Sequence, residues 1–218
     1  MLLDITKNID VYVFDFDGTL VNSMPYYSQV MIDVIEEYTK DYPKNVLDII
    51  VPLGYAGTID YFRKVLKINE SEEVLIKKLK DGLYKKYSED ITLKQGVFNA
   101  LKYLKEKGKK LYVLTASPHL VLDVCLKRNG VYDTFDGVYS CDDFNTTKSD
   151  VNIYYMLADK IGVKNSEIAF FDDNINSVMT AKKAGLYTVG VYDDAGVSFK
   201  EQLEKTANAY IMTFEEIK

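Results

Sequence analysis

The feature that most constrains the fold is an alternation, from residue 91 onward, between short apolar runs and longer stretches with helical periodicity. Such alternation is typical of β-α units, whose strands assemble into a parallel sheet. Each run is apolar almost throughout, as expected of a strand that helices cover on both faces. Together with an earlier run, the predicted strands are residues 11–14, 110–114, 137–140, 168–171 and 187–191. The sequence therefore predicts an α/β fold with a parallel sheet.

The chain between the first predicted strand and residue 90 follows a different pattern. Apolar residues recur there at three-to-four spacing in three stretches, residues 25–39, 57–67 and 71–87. No convincing strand pattern separates these stretches, so we expect a small helical bundle inserted directly after the first strand. The predicted domains are an α/β core of residues 1–21 and 92–218 and a helical insert of residues 22–91.

Composition excludes several classes of partner. The 218 residues include 27 Lys and Arg against 33 Asp and Glu, and this net charge of −6 gives no basic surface for nucleic acid or anionic membranes. The apolar stretches are shorter than the ~20 residues that span a bilayer, and the first residues lack the pattern of a secretory signal. The two cysteines are too few for a disulfide scaffold. We therefore expect a cytoplasmic protein that binds neither nucleic acid nor membranes, and its small size and acidic surface fit a monomer without requiring one.

The strongest chemical signal is the sequence DFDGT, from Asp15 to Thr19, at the end of the first predicted strand. Side chains alternate along a strand, so Asp15 and Asp17 would point the same way, and a Gly-Thr turn follows at once. Two carboxylates that close repel each other unless a cation compensates them. A strand that merely ends in an Asp-Gly turn is the alternative interpretation, because such turns are common.

A second pair of acids, Asp172 and Asp173, follows the predicted strand 168–171. Paired hard oxygen ligands suit Mg²⁺, which is often held by one or two carboxylates and several waters. The carboxyl ends of the strands form the ligand crevice of an open α/β sheet. Together with Asn174, the two acids could instead cap the helix that follows.

Two more polar residues lie at corresponding places along the chain. Thr115 follows the predicted strand 110–114 and offers a hydroxyl group, and the amides that follow it lie at a helix N-terminus, which favours anions. Ser117, followed by Pro118, is predicted to cap that helix. Lys148 supplies a positive charge just before another helical pattern. Singly, each of these residues could be structural or merely solvated, so the hypothesis depends on their occurring together and in order.

These four segments, in this order, resemble the four motifs of the haloacid dehalogenase-like superfamily of phosphotransferases. The first motif corresponds to residues 15–21, the second to residues 114–117, the third to Lys148 with Tyr154, and the fourth to the pair Asp172 and Asp173. The resemblance covers residues 10–191. It implies a Rossmann-like α/β core with an inserted helical C1 cap, as in β-phosphoglucomutase-like and phosphoglycolate-phosphatase-like members.

The resemblance also implies a role for each motif residue. Asp15 is the nucleophile that becomes an aspartyl phosphate, and Asp17 is the general acid and base. Thr115 and Lys148 hold the transferring phosphoryl oxygens. The implied Mg²⁺ ligands are Asp15, Asp17 through its backbone carbonyl, Asp172 and Asp173. The residues expected to line the phosphate and substrate pocket are Gly18, Thr19, Ala116, Ser117 and the insert residue Tyr27.

Departures from the family pattern bear on the activity. Ser177, with Asn176 beside it, stands where many relatives place a third acid, and Tyr27 stands where the mutase branch usually carries a histidine. The dehalogenase branch lacks the acid corresponding to Asp17, so its chemistry is disfavoured. The resemblance thus implies a Mg²⁺-dependent phosphomonoester hydrolase acting on a small phosphorylated metabolite, such as a sugar phosphate or phosphoglycolate. A phosphomutase and a non-catalytic phosphate-binding module remain as alternatives.

Overall fold

A parallel sheet forms the centre of the protein in a computed structural model that describes residues 9–50 and 53–217. The described residues contribute six strands to this sheet, in the spatial order β3-β2-β1-β4-β5-β6, and every neighbouring pair is parallel. The strands are β1 (Val11–Phe14), β2 (Lys110–Thr115), β3 (Gly137–Ser140), β4 (Ile168–Asp172), β5 (Tyr187–Val191) and β6 (Ala209–Ile211). The predicted α/β fold with a parallel sheet is confirmed.

The strand that sequence analysis missed is β6, at the edge of the sheet. It has three residues, and only Ile211 among them is buried. Its three residues are all apolar, but a run this short shows no repeated alternation that would separate a strand from a loop. The five predicted strands all form, with boundaries that agree within one residue.

Helices cover both faces of the sheet, and alternate strand residues pack against each face. Val11 and Val13 of β1 belong to a buried cluster with residues of β4 and of the helices on that side. Phe14 and Phe171 point to the other face, where their ring centroids lie 4.8 Å apart. The helices of this part are α5 (Val97–Glu106), α6 (His119–Arg128), α7 (Asn152–Ile161), α8 (Ile175–Lys183) and α9 (Lys200–Thr206). Within the described residues, no helix is both long enough and apolar enough to cross a bilayer.

The described chain divides into two compact units, one of the residues up to Asn22 and from Thr92 onward, and one from Ser23 to Ile91. The second unit is helical and has its own buried cluster, which includes Ile35, Phe62 and Leu79. Its helices are α1 (Met24–Glu36), α2 (Val46–Ile50), α3 (Gly54–Lys64) and α4 (Glu72–Glu89). Three of them were predicted with shifted ends, and α2, at five residues, is too short to show helical periodicity.

The chain leaves the sheet unit and returns to it along two adjacent segments. The backbone N–H of Asn22 donates to the carbonyl oxygen of Thr92 at 3.1 Å, and Val21 forms an antiparallel bridge with Leu93. The next hydrogen bond runs from the Lys94 N–H to the Leu20 carbonyl oxygen at 2.9 Å. The returning segment therefore lies against the residues that directly follow β1.

Candidate active site

The predicted site residues of the sheet unit come together at the carboxyl edge of the sheet. Asp15 directly follows β1, Thr115 ends β2 and Asp172 ends β4. These strands are neighbours in register, with Phe14 beside Phe171, and the Asp15 N–H donates to the Phe171 carbonyl oxygen at 2.8 Å. Because the strands are parallel, their carboxyl ends lie side by side and bring together residues from distant parts of the chain.

The chain reverses directly after Asp15 in a tight turn, which we call the first-motif turn (residues 15–21). The Val21 N–H donates to the Phe16 carbonyl oxygen at 3.0 Å, and the Gly18 N–H donates to the Val21 carbonyl oxygen at 3.0 Å. Gly18 has a φ of 76°, and a Cβ atom on it would lie 2.5 Å from Oδ2 of Asp173. Only glycine satisfies both the left-handed backbone and this close approach.

Three carboxylates cluster between the first-motif turn and the end of β4. Asp15, Asp172 and Asp173 each present an oxygen atom within 4.8 Å of the other two. Thr19 anchors the third of them: its hydroxyl donates to Asp173 Oδ1 at 2.9 Å and accepts from the Asp173 N–H at 3.1 Å. The predicted first and fourth motifs are therefore joined by direct hydrogen bonds.

The protonation of this cluster reflects its burial. Burial raises the pKa of Asp172 to about 7, although the ammonium group of Lys148 opposes this rise. Burial and the nearby charges of Asp172 and Asp15 likewise hold the pKa of Asp173 well above its usual range. A bound cation would offset the repulsion among the three carboxylates, which contributes to these raised pKa values. The donors are hard carboxylate oxygens, so the residues present fit Mg²⁺ or a similar hard divalent cation.

Lys148 places a buried positive charge beside two of these acids. Its Nζ atom lies 2.6 Å from Asp15 Oδ1 and 2.7 Å from Asp172 Oδ2, and its side chain is 10% exposed. Burial disfavours the charged ammonium, but the two carboxylates outweigh it and raise the pKa of Lys148. The Tyr154 hydroxyl lies 3.1 Å from the Lys148 carbonyl oxygen and helps to fix the backbone there.

The second-motif residues contact the first-motif turn through a serine. The Ser117 hydroxyl donates to Asp17 Oδ2 at 2.5 Å, and the Ser117 N–H donates to Thr115 Oγ1 at 3.1 Å. The prediction that Ser117 caps the following helix is wrong: α6 begins one residue later than expected, with Pro118 in the capping position. Ala116, between Thr115 and Ser117, is exposed.

Other predicted residues belong to helices. Tyr27 belongs to α1 of the helical unit, where the Tyr87 hydroxyl donates to the Tyr27 hydroxyl at 3.2 Å. Asn176 is exposed, and Ser177 uses its backbone N–H to bond Oδ1 of Asn174, which caps α8. The positions after the fourth-motif acids therefore start a helix and add no further carboxylate to the three of the cluster.

One residue beside the site escaped sequence analysis. The Nζ atom of Lys94 donates to the carbonyl oxygen of Gly18 at 2.5 Å, within the first-motif turn. Nothing in the local pattern distinguishes this lysine from the many solvated lysines of the chain. Its position three residues from the predicted end of the insert is the only signal that could have drawn attention to it.

Fold and site together define a family. Residues 9–185 match the sequence model of the haloacid dehalogenase-like hydrolase family, and the match covers most of the chain. The protein therefore belongs to the haloacid dehalogenase-like hydrolases, as the ordered motifs predicted.

Individual relatives agree with this assignment. A phosphorylated carbohydrates phosphatase of Thermotoga maritima is 26% identical over 178 residues, 82% of this chain and 82% of that protein. A phosphoglycolate phosphatase of Pasteurella multocida is 27% identical over 190 residues, 82% of this chain and 83% of that protein. A crystal structure from Thermotoga maritima, provisionally described as a beta-phosphoglucomutase, superposes with a TM-score of 0.83 at 26% identity and covers 96% of this chain and 97% of its own.

Proposed function

We propose that this protein is a Mg²⁺-dependent phosphatase that hydrolyses the monoester of a small phosphorylated metabolite through an aspartyl phosphate on Asp15. The family of hydrolases to which the chain belongs and the phosphatase names of its relatives support this proposal. The observation that carries it is the ion pair between Lys148 and Asp15 at 2.6 Å, beside two further carboxylates. This arrangement combines a candidate nucleophile, a fixed cation and a set of metal ligands.

Asp15 starts the reaction in this proposal. One of its carboxylate oxygens forms a bond to phosphorus while the bond between phosphorus and the leaving oxygen breaks, which leaves an aspartyl phosphate. Lys148 holds the Asp15 carboxylate and, with Thr115, supplies positive charge and a hydroxyl group for the phosphoryl oxygens. Most of the rate enhancement is expected from this positioning of charge.

Asp17 moves the proton in both halves of the reaction. It gives a proton to the leaving oxygen and then, as a carboxylate, takes a proton from a water molecule. The oxygen of that water attacks phosphorus, which releases inorganic phosphate and restores Asp15. The hydrogen bond from Ser117, 2.5 Å long, fixes the rotation of the Asp17 carboxyl group for these transfers.

The candidate metal ligands are Asp15, Asp172 and Asp173 together with the backbone carbonyl of Asp17. Mg²⁺ bound there would supply positive charge beside the phosphoryl oxygens. The chain's own contribution is to hold the three carboxylates together before the cation binds, with Thr19 fixing Asp173 at 2.9 Å. Sugar phosphates and phosphoglycolate are the first substrates to test, since relatives carry these names.

The test is phosphate release from a panel of phosphorylated metabolites, measured with Mg²⁺ or with EDTA. Wild-type protein is compared with Asp15→Asn, a nearly isosteric change, and with the control Asp10→Asn. Asp10 lies just before β1, at the opposite end of the strand, and pairs with Lys109. We expect EDTA to abolish release, Asp15→Asn to lower it by roughly 10³-fold or more, and Asp10→Asn to leave it intact.

Two results would contradict the proposal. Phosphate release that persists in Asp15→Asn would exclude this residue as the nucleophile. Binding of phosphate and Mg²⁺ by the wild-type protein without any turnover on the panel would favour the non-catalytic phosphate-binding module.

A phosphomutase is the second candidate, because a structure provisionally described as a beta-phosphoglucomutase superposes on this chain with a TM-score of 0.83. A mutase would interconvert sugar-phosphate isomers when primed with a sugar bisphosphate and would release little phosphate. Tyr27, where the mutase branch usually has a histidine, argues for hydrolysis. The monomeric state, the cytoplasmic location and the role of the helical insert as a substrate-selecting cap stay predictions.

A further inference from the structure

Lys94 makes three hydrogen bonds beside the first-motif turn. Its Nζ atom lies 2.5 Å from the carbonyl oxygen of Gly18, 2.5 Å from that of Tyr192 and 2.9 Å from Oδ2 of Asp193. An ammonium group has three protons, so these three acceptors use all of them. Lys94 therefore has no proton for a substrate, and any role it has in the reaction must act through its partners.

The contacts of Lys94 fix the first-motif turn at two points. Besides the bond from Nζ to the Gly18 carbonyl oxygen, the Lys94 backbone N–H donates to the Leu20 carbonyl oxygen at 2.9 Å. Gly18 directly follows Asp17, and glycine has the greatest backbone freedom of all residues. A charged donor on the Gly18 carbonyl restricts the rotation of the peptide group between Gly18 and Thr19, one residue after the peptide group that follows Asp17.

On its other side, Lys94 is tied to the segment that follows β5. The side chain of Asp193 is 4% exposed, and its second oxygen accepts from the Ala195 N–H at 3.0 Å. The same turn brings Gly196 close to Asp173, since a Cβ atom on Gly196 would lie 3.8 Å from the Asp173 carbonyl oxygen. The ion pair thus joins the turn that carries Asp17 to the segment beside a fourth-motif acid.

We propose that Lys94 is a positioning residue. It holds the first-motif turn in the geometry that Asp17 needs to protonate the leaving group. This inference rests on the proposed phosphatase function. If the inference is right, the activity lost on removing the Lys94 ammonium depends on the leaving group of the substrate. An alkyl alkoxide needs a proton as its bond to phosphorus breaks, whereas 4-nitrophenolate is stable enough to leave with much less help.

The experiment compares kcat/KM for the best alkyl phosphate of the panel with kcat/KM for 4-nitrophenyl phosphate. In Lys94→Met, which removes the ammonium and keeps the length of the side chain, we expect a loss of about 10²-fold on the alkyl phosphate and less than about 5-fold on the aryl phosphate. Asp17→Asn is the benchmark for this selectivity. Lys94→Arg, which restores the charge, should recover part of the alkyl activity.

Lys109→Met is the matched control. Lys109 is also a nearly buried lysine in an ion pair: its side chain is 9% exposed and its Nζ atom lies 2.8 Å from Asp10 Oδ1. It directly precedes β2, however, and so lies at the amino-terminal ends of the strands, away from the site. We expect this variant to lose stability while both kcat/KM values stay within about 2-fold of wild type. If Lys94→Met does not fold, Asp193→Asn decides the question by the same criterion, with an expected alkyl-selective loss of about 10-fold.

The possible results are distinguishable. An equal loss on both substrates, or no loss, in a folded variant of an active enzyme overturns the role of Lys94 and leaves the proposed function in place. A wild-type protein that hydrolyses neither substrate, nor any other member of the panel, overturns the proposed function and the inference with it.

Discussion

Individual residues of the site differ in how far the sequence could predict them. The carboxylates Asp15 and Asp172 were predictable because each follows a readable strand, and parallel strands bring their carboxyl ends together. The bond from Ser117 to Asp17 and the contacts of Lys94 were not, since they join residues whose spacing follows no local period. Side-chain direction in loops is decided by packing, which a single sequence does not display.

Gly18 provides the sharpest test of the first-motif turn. In Gly18→Ala, the new methyl group would lie 2.5 Å from Asp173 Oδ2 and the backbone would keep a φ of 76°. We expect the displaced carboxylate to lower phosphatase activity by about 10²-fold and to weaken Mg²⁺ binding, measured by calorimetry. The strained backbone should also cost about 1–2 kcal/mol of stability.

Gly108→Ala is the matched control for this substitution. Gly108 has nearly the same backbone angle, a φ of 75°, but a Cβ atom there would have no atom of the described residues within 4 Å. The control should show the same loss of stability with full activity. Equal activities for the two variants would mean that the contact between Gly18 and Asp173 does not matter for turnover.

At the scale of secondary-structure elements, length decided what could be predicted. The five recognised strands have four to six residues each, whereas β6 has three and the helix α2 has five, too few to show the period of their element. Contacts from distant residues hold such short elements in place. Thr188 illustrates this, because the Asn208 N–H, just before β6, donates to its carbonyl oxygen at 2.9 Å.

The edge strand β3 depends on an aspartate directly before it. The Leu111 N–H, Lys105 and Lys110 all donate to the Asp136 carboxylate, at 2.9, 2.8 and 3.0 Å. Burial tends to raise the pKa of Asp136, but these donors outweigh it and lower the pKa from 3.8 to about 2. Because the folded-state value is depressed, the contribution to stability is complete above about pH 4 and disappears as the pH falls towards 2.

Asp136→Asn should therefore destabilise the protein at pH 7, but only by about 0.5–1 kcal/mol in urea unfolding, because water screens the ion pairs of this exposed residue. The difference from wild type should shrink between about pH 4 and pH 2. Asp133→Asn, an exposed aspartate three residues earlier, is the control and should change stability little at any pH. A difference for Asp136→Asn that stays constant down to pH 2 would contradict the assigned ion pairs.

At the scale of the whole molecule, the order of the motifs was more informative than any local pattern. The site draws on four segments of the chain, and their common edge follows from parallel pairing. The division after Asn22 and before Thr92 follows a change of periodicity that the sequence displays. Substrate choice has no such signature, since no motif marks the residues that would contact the leaving group.

Metal removal should change the stability of the whole molecule in a pH-dependent way. Burial raises the pKa of Asp172 to about 7 from 3.8, so the metal-free folded state binds protons more tightly than the unfolded state. The stability of the metal-free protein therefore falls as the pH rises from about 4 to about 7 and stays low above that range. We expect Mg²⁺ to raise the melting temperature over that in EDTA more at pH 8 than at pH 5.

Asp173→Asn should abolish most of this Mg²⁺ effect at pH 8, because it removes one of the three carboxylates of the cluster. Thermal melts of both proteins at the two pH values measure it. A Mg²⁺ effect of equal size at pH 5 and pH 8 would show that the cation does not compete with protons for these carboxylates.

The central place of β1 has a consequence for synthesis on the ribosome. β1 is the first described strand to leave the exit tunnel, yet it lies between β2 and β4. Val11 can pair with Lys110 and Ile168 only after both of these residues have been synthesised. At roughly 5–20 residues per second, translation delays the second partner by on the order of ten seconds. During that time β1, whose four residues are all buried in the folded protein, has an unpaired edge. The nascent chain, rather than the finished protein, is therefore where chaperone protection of this enzyme matters most.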